Sequence, residues 1–184
     1  MAEESKMACK NIFQKIDKLT IKISRKLIQG GLTNEEFDPK CLTDWRLQHH
    51  IPTNYAMKWK NFEKAGNDSK FTDIRSKIDK TIKAEGKKLT GGVVLCPSRD
   101  TGANRKFNQN NLDECFKINS FYFLYDRENI TDTTIDFIVY WIPIDIIKKW
   151  YCEYGNGKGK ITFTNLKKCF KNIKFNETNW DRTL

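Results

Sequence analysis

Hydrophobic and polar residues alternate between residues 73 and 87, and this alternation fits an extended strand. Charged or polar residues take nearly every odd position, whereas isoleucines and Ala84 take even positions. Side chains two residues apart in a strand point to the same side. An extended chain would therefore place Asp73, Glu85 and Lys87 on one face.

A helix explains the same stretch almost as well. Ile74, Ile78 and Ile82 are four residues apart, so a helix would bury them on one side together with Phe71. The polar residues just before this stretch could cap such a helix. In that case the charged residues would form a solvated helix face. The pattern leaves both structures open.

The first 66 residues are predicted to be mainly helical. Apolar residues recur at helical spacing, with lysines between them, until Gly30-Gly31 supplies a stop signal. Two or three shorter helices are expected from Asn34 to Gly66, broken by Pro39 and Pro52. The apolar positions of the first helix are Ile12, Ile16, Leu19, Ile23 and Leu27.

The second half of the chain mixes strands and helices. The two most apolar strands are separated by a polar turn and should pair in the centre of a sheet. This order predicts an α/β (α+β) fold in one domain, with a mixed central β-sheet flanked by helices, a helical N-terminal part over 1–66 and a mixed core over 67–184. The predicted strands are 93–96, 121–125, 135–142 and 161–163, and the predicted helices are 110–118, 144–154 and a last one from Thr164.

The charge of the chain favours polyanionic partners. Its 184 residues include 33 Lys and Arg against 23 Asp and Glu, a formal net charge of +10. Nucleic acid is the first candidate partner, and a basic composition with no polyanion to bind is the alternative. Residues 1–10 lack the apolar core of a signal peptide, and no run of 18 apolar residues occurs. We therefore expect a cytoplasmic protein without a membrane partner.

Several catalytic classes lack their sequence signature. The six cysteines form no CxxC pair and no clustered spacing, which disfavours zinc. The only histidines, His49 and His50, are adjacent and would diverge by about 100 degrees on a helix, so they are poorly placed to share a metal. A P-loop and a G-x-S-x-G nucleophile elbow are both missing from the sequence.

Two groups of residues can carry nuclease chemistry. Asp73 and Glu85 offer carboxylates to Mg²⁺, a cation that prefers oxygen ligands, and Lys87 could activate water or polarise a phosphate. A basic loop offers donors of several lengths for phosphates and base edges. Its candidate DNA-binding residues are Ser98, Arg99, Thr101, Asn104, Arg105 and Lys106.

From Gly92 to Phe170 the chain resembles type II restriction endonucleases of the PD-(D/E)XK superfamily in the order of its elements. The resemblance implies a restriction-endonuclease-like fold, Mg²⁺-dependent cleavage of DNA and, because palindromic sites call for twofold proteins, a homodimer. The positions that carry it are Thr101-Gly102-Ala103-Asn104-Arg105, Phe121 to Asp126, Tyr140-Trp141-Ile142-Pro143 and Ile144 to Trp150.

The sequence departs from this superfamily at one place. Many members carry an acid-any-Lys motif on the strand just before the Thr-Gly loop, where this chain has Leu95-Cys96-Pro97-Ser98. If the motif has moved upstream, Asp73, Glu85 and Lys87 are its candidates. If it has not, the chain is a non-catalytic protein that recognises nucleic acid, such as a silent relative of a nuclease. Both possibilities remain open at this level.

Overall fold

The computed structural model describes residues 15–29, 45–66, 70–97 and 106–183. These residues form nine strands and five helices. The strands are β1 (Lys15–Ser24), β2 (Phe62–Lys64), β3 (Ile74–Ser76), β4 (Lys83–Lys88), β5 (Gly92–Val94), β6 (Phe121–Ile130), β7 (Thr134–Pro143), β8 (Lys160–Thr162) and β9 (Lys174–Arg182). The helices are α1 (Arg25–Gln29), α2 (Trp45–Lys60), α3 (Gln109–Ile118), α4 (Ile144–Tyr154) and α5 (Phe163–Phe170).

Seven strands form a mixed sheet in the order β2-β3-β4-β6-β7-β1-β9. β4 runs parallel to β6 and β1 runs parallel to β9, whereas the other neighbours are antiparallel. The hairpin β6–β7 lies in the middle, as its apolar sequence predicted. The mixed α+β fold class is therefore confirmed.

The sheet separates two hydrophobic clusters. One cluster contains Ala56 of α2 with Phe123 and Trp141 of the central hairpin. The other contains Tyr122 and Leu124, whose side chains alternate with Phe123, together with apolar residues of α3, α4, α5, β5 and β8. Both faces of β6 are thus buried over residues 121–125, which explains why this half of the strand is a continuous apolar run.

The predicted N-terminal helix is wrong over Lys15–Ser24, and only Arg25–Gln29 at its end is helical, as α1. Lys15–Ser24 is a strand between β7 and β9. Leu19, Ile21 and Ile23 are buried at alternate positions, so a period of two is present beneath the helical spacing. The N-terminal part is therefore not wholly helical.

The helix α2 also differs from expectation, because it continues through Pro52 instead of ending there. Pro52 is buried, and Ala56 one turn further on is fully enclosed by the core. Packing against the sheet therefore offsets the cost of proline inside a helix. The other predicted break, at Pro39, lies outside the described residues.

The stretch from residue 71 to 88 is extended rather than helical. It forms β3 and β4, which pair antiparallel around a turn. Ile78 occupies this turn and is 85% exposed, so the isoleucines do not share a buried face. The helical alternative for this stretch is wrong.

Two further differences concern strands. The strand expected at 93–96 is present as β5, but it pairs with β8 in a separate two-stranded sheet. β9 was not predicted, because most of its side chains are exposed and its apolar residues are few. Among the described residues, no helix is long and apolar enough to cross a membrane.

Candidate active site

Asp73 and the segment Glu85-Gly86-Lys87 meet where β3 begins and β4 nears its end. The antiparallel register pairs Ile74 with Ala84, so Asp73 comes next to Glu85. The amide of Gly86 donates a hydrogen bond to Asp73 Oδ2 at 2.8 Å. Residues twelve to fourteen positions apart in sequence are therefore brought together by one hairpin.

Glu85 and Lys87 project from the same face of β4 and form a buried ion pair. Lys87 Nζ lies 2.7 Å from Glu85 Oε1, and the side chains are only 11% and 9% exposed. Their neighbours on β6 are Tyr122 and Leu124, which belong to the hydrophobic core. Burying charged groups in apolar surroundings lowers the stability of the fold. A buried ion pair beside a cavity is therefore a candidate functional site.

Gly86 separates the two charged residues and faces the other side of the strand. A Cβ added there would lie 2.3 Å from the ring of Phe123 and 3.1 Å from Asp73 Oδ2. The middle position of the acid-any-Lys triplet therefore has no space for a side chain. Its lack of a Cβ lets the carboxylate of Asp73 approach the backbone of β4.

These side chains line a cavity of about 470 Å³. Its walls come from α2, the start of β3, β4, β5 and β6, and they include Asp73, Glu85, Lys87, His49 and Tyr125. Because the cavity is open to solvent, a ligand can enter it and reach the residues that line it.

Burial raises the pKa of Glu85 to about 7. The positive charge of Lys87 opposes this shift, and the negative charge of Asp73 adds to it. For Lys87, burial alone would lower the pKa, but the charge and hydrogen bond of Glu85 and the charge of Asp73 together raise it. Lys87 therefore stays charged at neutral pH. Glu85 gains or loses its proton near neutral pH, unless a metal cation bound beside it keeps it ionised.

Asn119 fixes the chain just before Asp73. Its amide Nδ2 donates to the carbonyl of Phe71 at 2.6 Å and to that of Cys115 at 2.9 Å, and its Oδ1 accepts from the hydroxyl of Thr72. Asn119 is 3% exposed and ends helix α3. The position of Asp73 thus depends on a buried polar network.

The donor set fits a hard divalent cation such as Mg²⁺. Asp73 and Glu85 each keep one carboxylate oxygen outside the hydrogen bonds described above. Within the described ranges, no three His, Cys, Asp or Glu side chains are grouped closely enough to hold an ion by themselves. One or two carboxylates, completed by water and substrate phosphate, are what Mg²⁺ usually takes, whereas a structural zinc site needs four protein ligands.

His49 lines the cavity. From the sequence it was considered only together with the adjacent His50, as a pair poorly placed to share a metal. Its Nδ1 lies 2.9 Å from the hydroxyl of Tyr125, and both side chains line the cavity. Tyr125 is 76 residues away along the chain, so no sequence spacing indicates this pair. The sequence predicted that Tyr125 lies on a strand, but it did not predict the contact with His49.

The predicted DNA-binding loop can be placed only in part. Ser98, Arg99, Thr101, Asn104 and Arg105 lie outside the described residues, whereas Lys106 is exposed.

Comparisons with protein-family models, with curated proteins and with solved structures found no match for this chain.

Proposed function

We propose that this protein is a Mg²⁺-dependent endonuclease that hydrolyses phosphodiester bonds of DNA. One observation carries the proposal: Asp73 and the buried pair Glu85–Lys87 face a single open cavity. Two carboxylates with a buried ammonium group are the groups that such hydrolysis requires. The restriction-endonuclease-like architecture expected from the sequence belongs to the same proposal.

In this site Asp73 and Glu85 would hold the cation. When bound, Mg²⁺ supplies positive charge that polarises the phosphate and lowers the pKa of bound water. Lys87 positions the attacking water and stabilises negative charge on the phosphate. The water oxygen bonds to phosphorus and releases a proton to solvent, the bond from phosphorus to the leaving oxygen breaks, and that oxygen takes up a proton from solvent.

DNA is the proposed substrate because of the charge of the whole chain. A formal charge of +10 attracts a polyanion, and Lys88 adds a cation to the cavity wall. The loop residues Arg99, Asn104 and Arg105 remain the proposed contacts to phosphates and base edges. Cleavage of a palindromic site would need a homodimer.

Plasmid cleavage tests this function. Wild-type protein should nick or linearise supercoiled plasmid with Mg²⁺ and should stop when EDTA is added. Glu85→Gln should lower the rate at least about 100-fold, since it removes a metal ligand. Glu177→Gln is a matched control, because Glu177 is an exposed acid on β9. An absence of cutting by wild type, or equal cutting by Glu85→Gln, would reject the catalytic proposal.

A second candidate function is DNA binding without catalysis. The mutual pairing of Glu85 and Lys87 favours it, because a satisfied buried ion pair can also be purely structural. Filter binding with Ca²⁺ in place of Mg²⁺ separates the two functions. A silent binding protein would bind DNA with steep salt dependence but would leave plasmid intact with every divalent cation.

A further inference from the structure

The pair His49–Tyr125 forms one wall of the cavity that contains the carboxylates. His49 lies in the first half of α2, and Tyr125 lies on β6 next to Lys88 of β4. The ring nitrogen Nδ1 and the phenol oxygen are 2.9 Å apart. In the part of the chain that the structure describes, Nε2 of His49 has no hydrogen-bond partner. One nitrogen is therefore held by the protein, and the other is free for a ligand.

His49 is held in the neutral form at neutral pH. Burial lowers its pKa, and the positive charges of His50, Lys87 and Lys64 act in the same direction. Among the described residues, the negative charge of Asp73 opposes this shift. A neutral imidazole has one nitrogen that donates a hydrogen bond and one that accepts.

Tyr125 decides which nitrogen of His49 carries the proton. Burial and the negative charges of Asp73 and Glu85 raise the pKa of Tyr125, so its hydroxyl keeps its proton. A phenol is a stronger donor than a neutral imidazole N–H, and an imidazole nitrogen is a stronger acceptor than a phenol oxygen. Tyr125 therefore donates to Nδ1, and the proton of His49 is on Nε2.

We propose that His49 binds substrate by donating its Nε2–H to a non-bridging oxygen of the scissile phosphate, and that Tyr125 is the positioning residue that fixes this tautomer. This inference rests on the proposed phosphodiesterase function. The positive charge of Lys87 is already matched by Glu85, so a separate neutral donor strengthens the hold on a phosphate without adding charge. Mg²⁺ prefers oxygen ligands to imidazole nitrogen, which argues for His49 as a phosphate donor over a metal ligand.

The test compares His49→Ala with His49→Gln, using His50→Gln as the control on the exposed neighbour. His49→Ala should lower kcat about 100-fold, the usual cost of losing one donor to a transition state. The Gln side chain keeps an N–H donor, so His49→Gln should stay within about tenfold of wild type and keep its pH profile. The Mg²⁺ concentration for half-maximal rate should be the same in both variants.

Tyr125→Phe tests the positioning role. It should lower kcat in the wild-type background but have no further effect in His49→Gln, because the Gln amide needs no tautomer to be fixed. An equal effect in both backgrounds would reduce Tyr125 to a structural role. His49→Ala folding can be checked by circular dichroism, so that a lost fold is not mistaken for a lost donor.

Three results would overturn the inference while leaving the nuclease proposal in place. A His49→Ala variant as active as wild type leaves the nuclease proposal intact but removes His49 from the site. A His49→Gln variant as slow as His49→Ala would indicate proton transfer, because an amide cannot act as an acid or base. A raised Mg²⁺ requirement in both variants would make His49 a metal ligand. A wild-type protein that cleaves no DNA would remove the nuclease proposal itself.

Discussion

The amide of Gly86 donates a hydrogen bond to Asp73 Oδ2 at 2.8 Å, which joins the two halves of the candidate site. The contact orients the carboxylate of Asp73 before any cation arrives. It also depends on the missing side chain of Gly86, since a Cβ would collide with Phe123. The geometry of the site and the packing of the core are therefore coupled at one residue.

Gly86→Ala tests this coupling. The added methyl group would press on a fully buried Phe123 and on Asp73, so we expect a destabilisation of about 1–3 kcal/mol, typical of overpacking. Cleavage should fall by more than the loss of folded protein explains. Urea unfolding with an activity assay on the folded fraction measures both. Phe123→Leu in the same chain should recover part of the stability, and no recovery would contradict the steric account.

Glu85 makes stability fall as pH rises. Its pKa is about 7 in the folded protein against an ordinary 4.5, so folding favours the protonated form. The stability that the protonated Glu85 contributes is fully present below its pKa of 4.5 in the unfolded chain, and it is lost as pH rises through about 7. Glu85→Gln should remove this loss, so the difference in stability between the variant and wild type should shift in favour of the variant by up to about 3 kcal/mol from mild acid to alkaline pH.

Thermal unfolding of wild type, Glu85→Gln and the control Glu177→Gln across this pH range checks the sign. Glu177→Gln should follow wild type, because Glu177 is exposed. Millimolar Mg²⁺ should raise the Tm of wild type at alkaline pH and leave that of Glu85→Gln almost unchanged, because a ligand that binds the folded state stabilises it. If the Tm of wild type and that of Glu85→Gln change in parallel with pH, burial does not raise the pKa of Glu85.

Removing Lys87 should leave Glu85 buried without its partner. Lys87→Met keeps most of the side-chain volume, and we expect it to destabilise the protein by about 3 kcal/mol above neutral pH. The loss should shrink in mild acid, where Glu85 takes up a proton. Urea unfolding at two pH values measures this difference. If Lys87→Met loses the same stability when combined with Glu85→Gln, the two residues do not interact.

Asn119 should matter for both stability and activity. Asn119→Ala deletes the side chain that binds Phe71, Thr72 and Cys115, and it leaves buried polar groups without partners. We expect a loss of about 2–3 kcal/mol. Asp73 should also be displaced, so the Mg²⁺ concentration for half-maximal cleavage should rise. Asn108→Ala, at the other end of α3, removes an exposed cap and should leave the Mg²⁺ requirement unchanged.

The sequence predicted elements where local pattern and tertiary burial agree. The first half of β6 and most of β7 are apolar runs, and α4 begins directly after Pro143, so their positions follow from propensity alone. β1 was misread because Ile16, Leu19 and Ile23 fit a helix, and only pairing with β7 and β9 makes the strand. β9 has little apolar signal and is defined by its partner.

Only part of the candidate site could be predicted from the sequence. Alternation allowed Asp73, Glu85 and Lys87 to share a face, but the choice between strand and helix depended on the pairing of β4 with β3 and β6. The roles of Asn119 and Tyr125 come from contacts made across 48 and 76 residues, which no local pattern encodes. Long-range packing therefore supplied what periodicity could not.

The most direct test of the central claim is the initial rate of Mg²⁺-dependent plasmid cleavage by wild type, Asp73→Asn and the control Glu177→Gln. Asp73→Asn keeps the size of the side chain but removes the charge that a cation needs. The account predicts cleavage by wild type and Glu177→Gln at similar rates, with Asp73→Asn slower by at least about 100-fold. Equal rates for Asp73→Asn and wild type would contradict it.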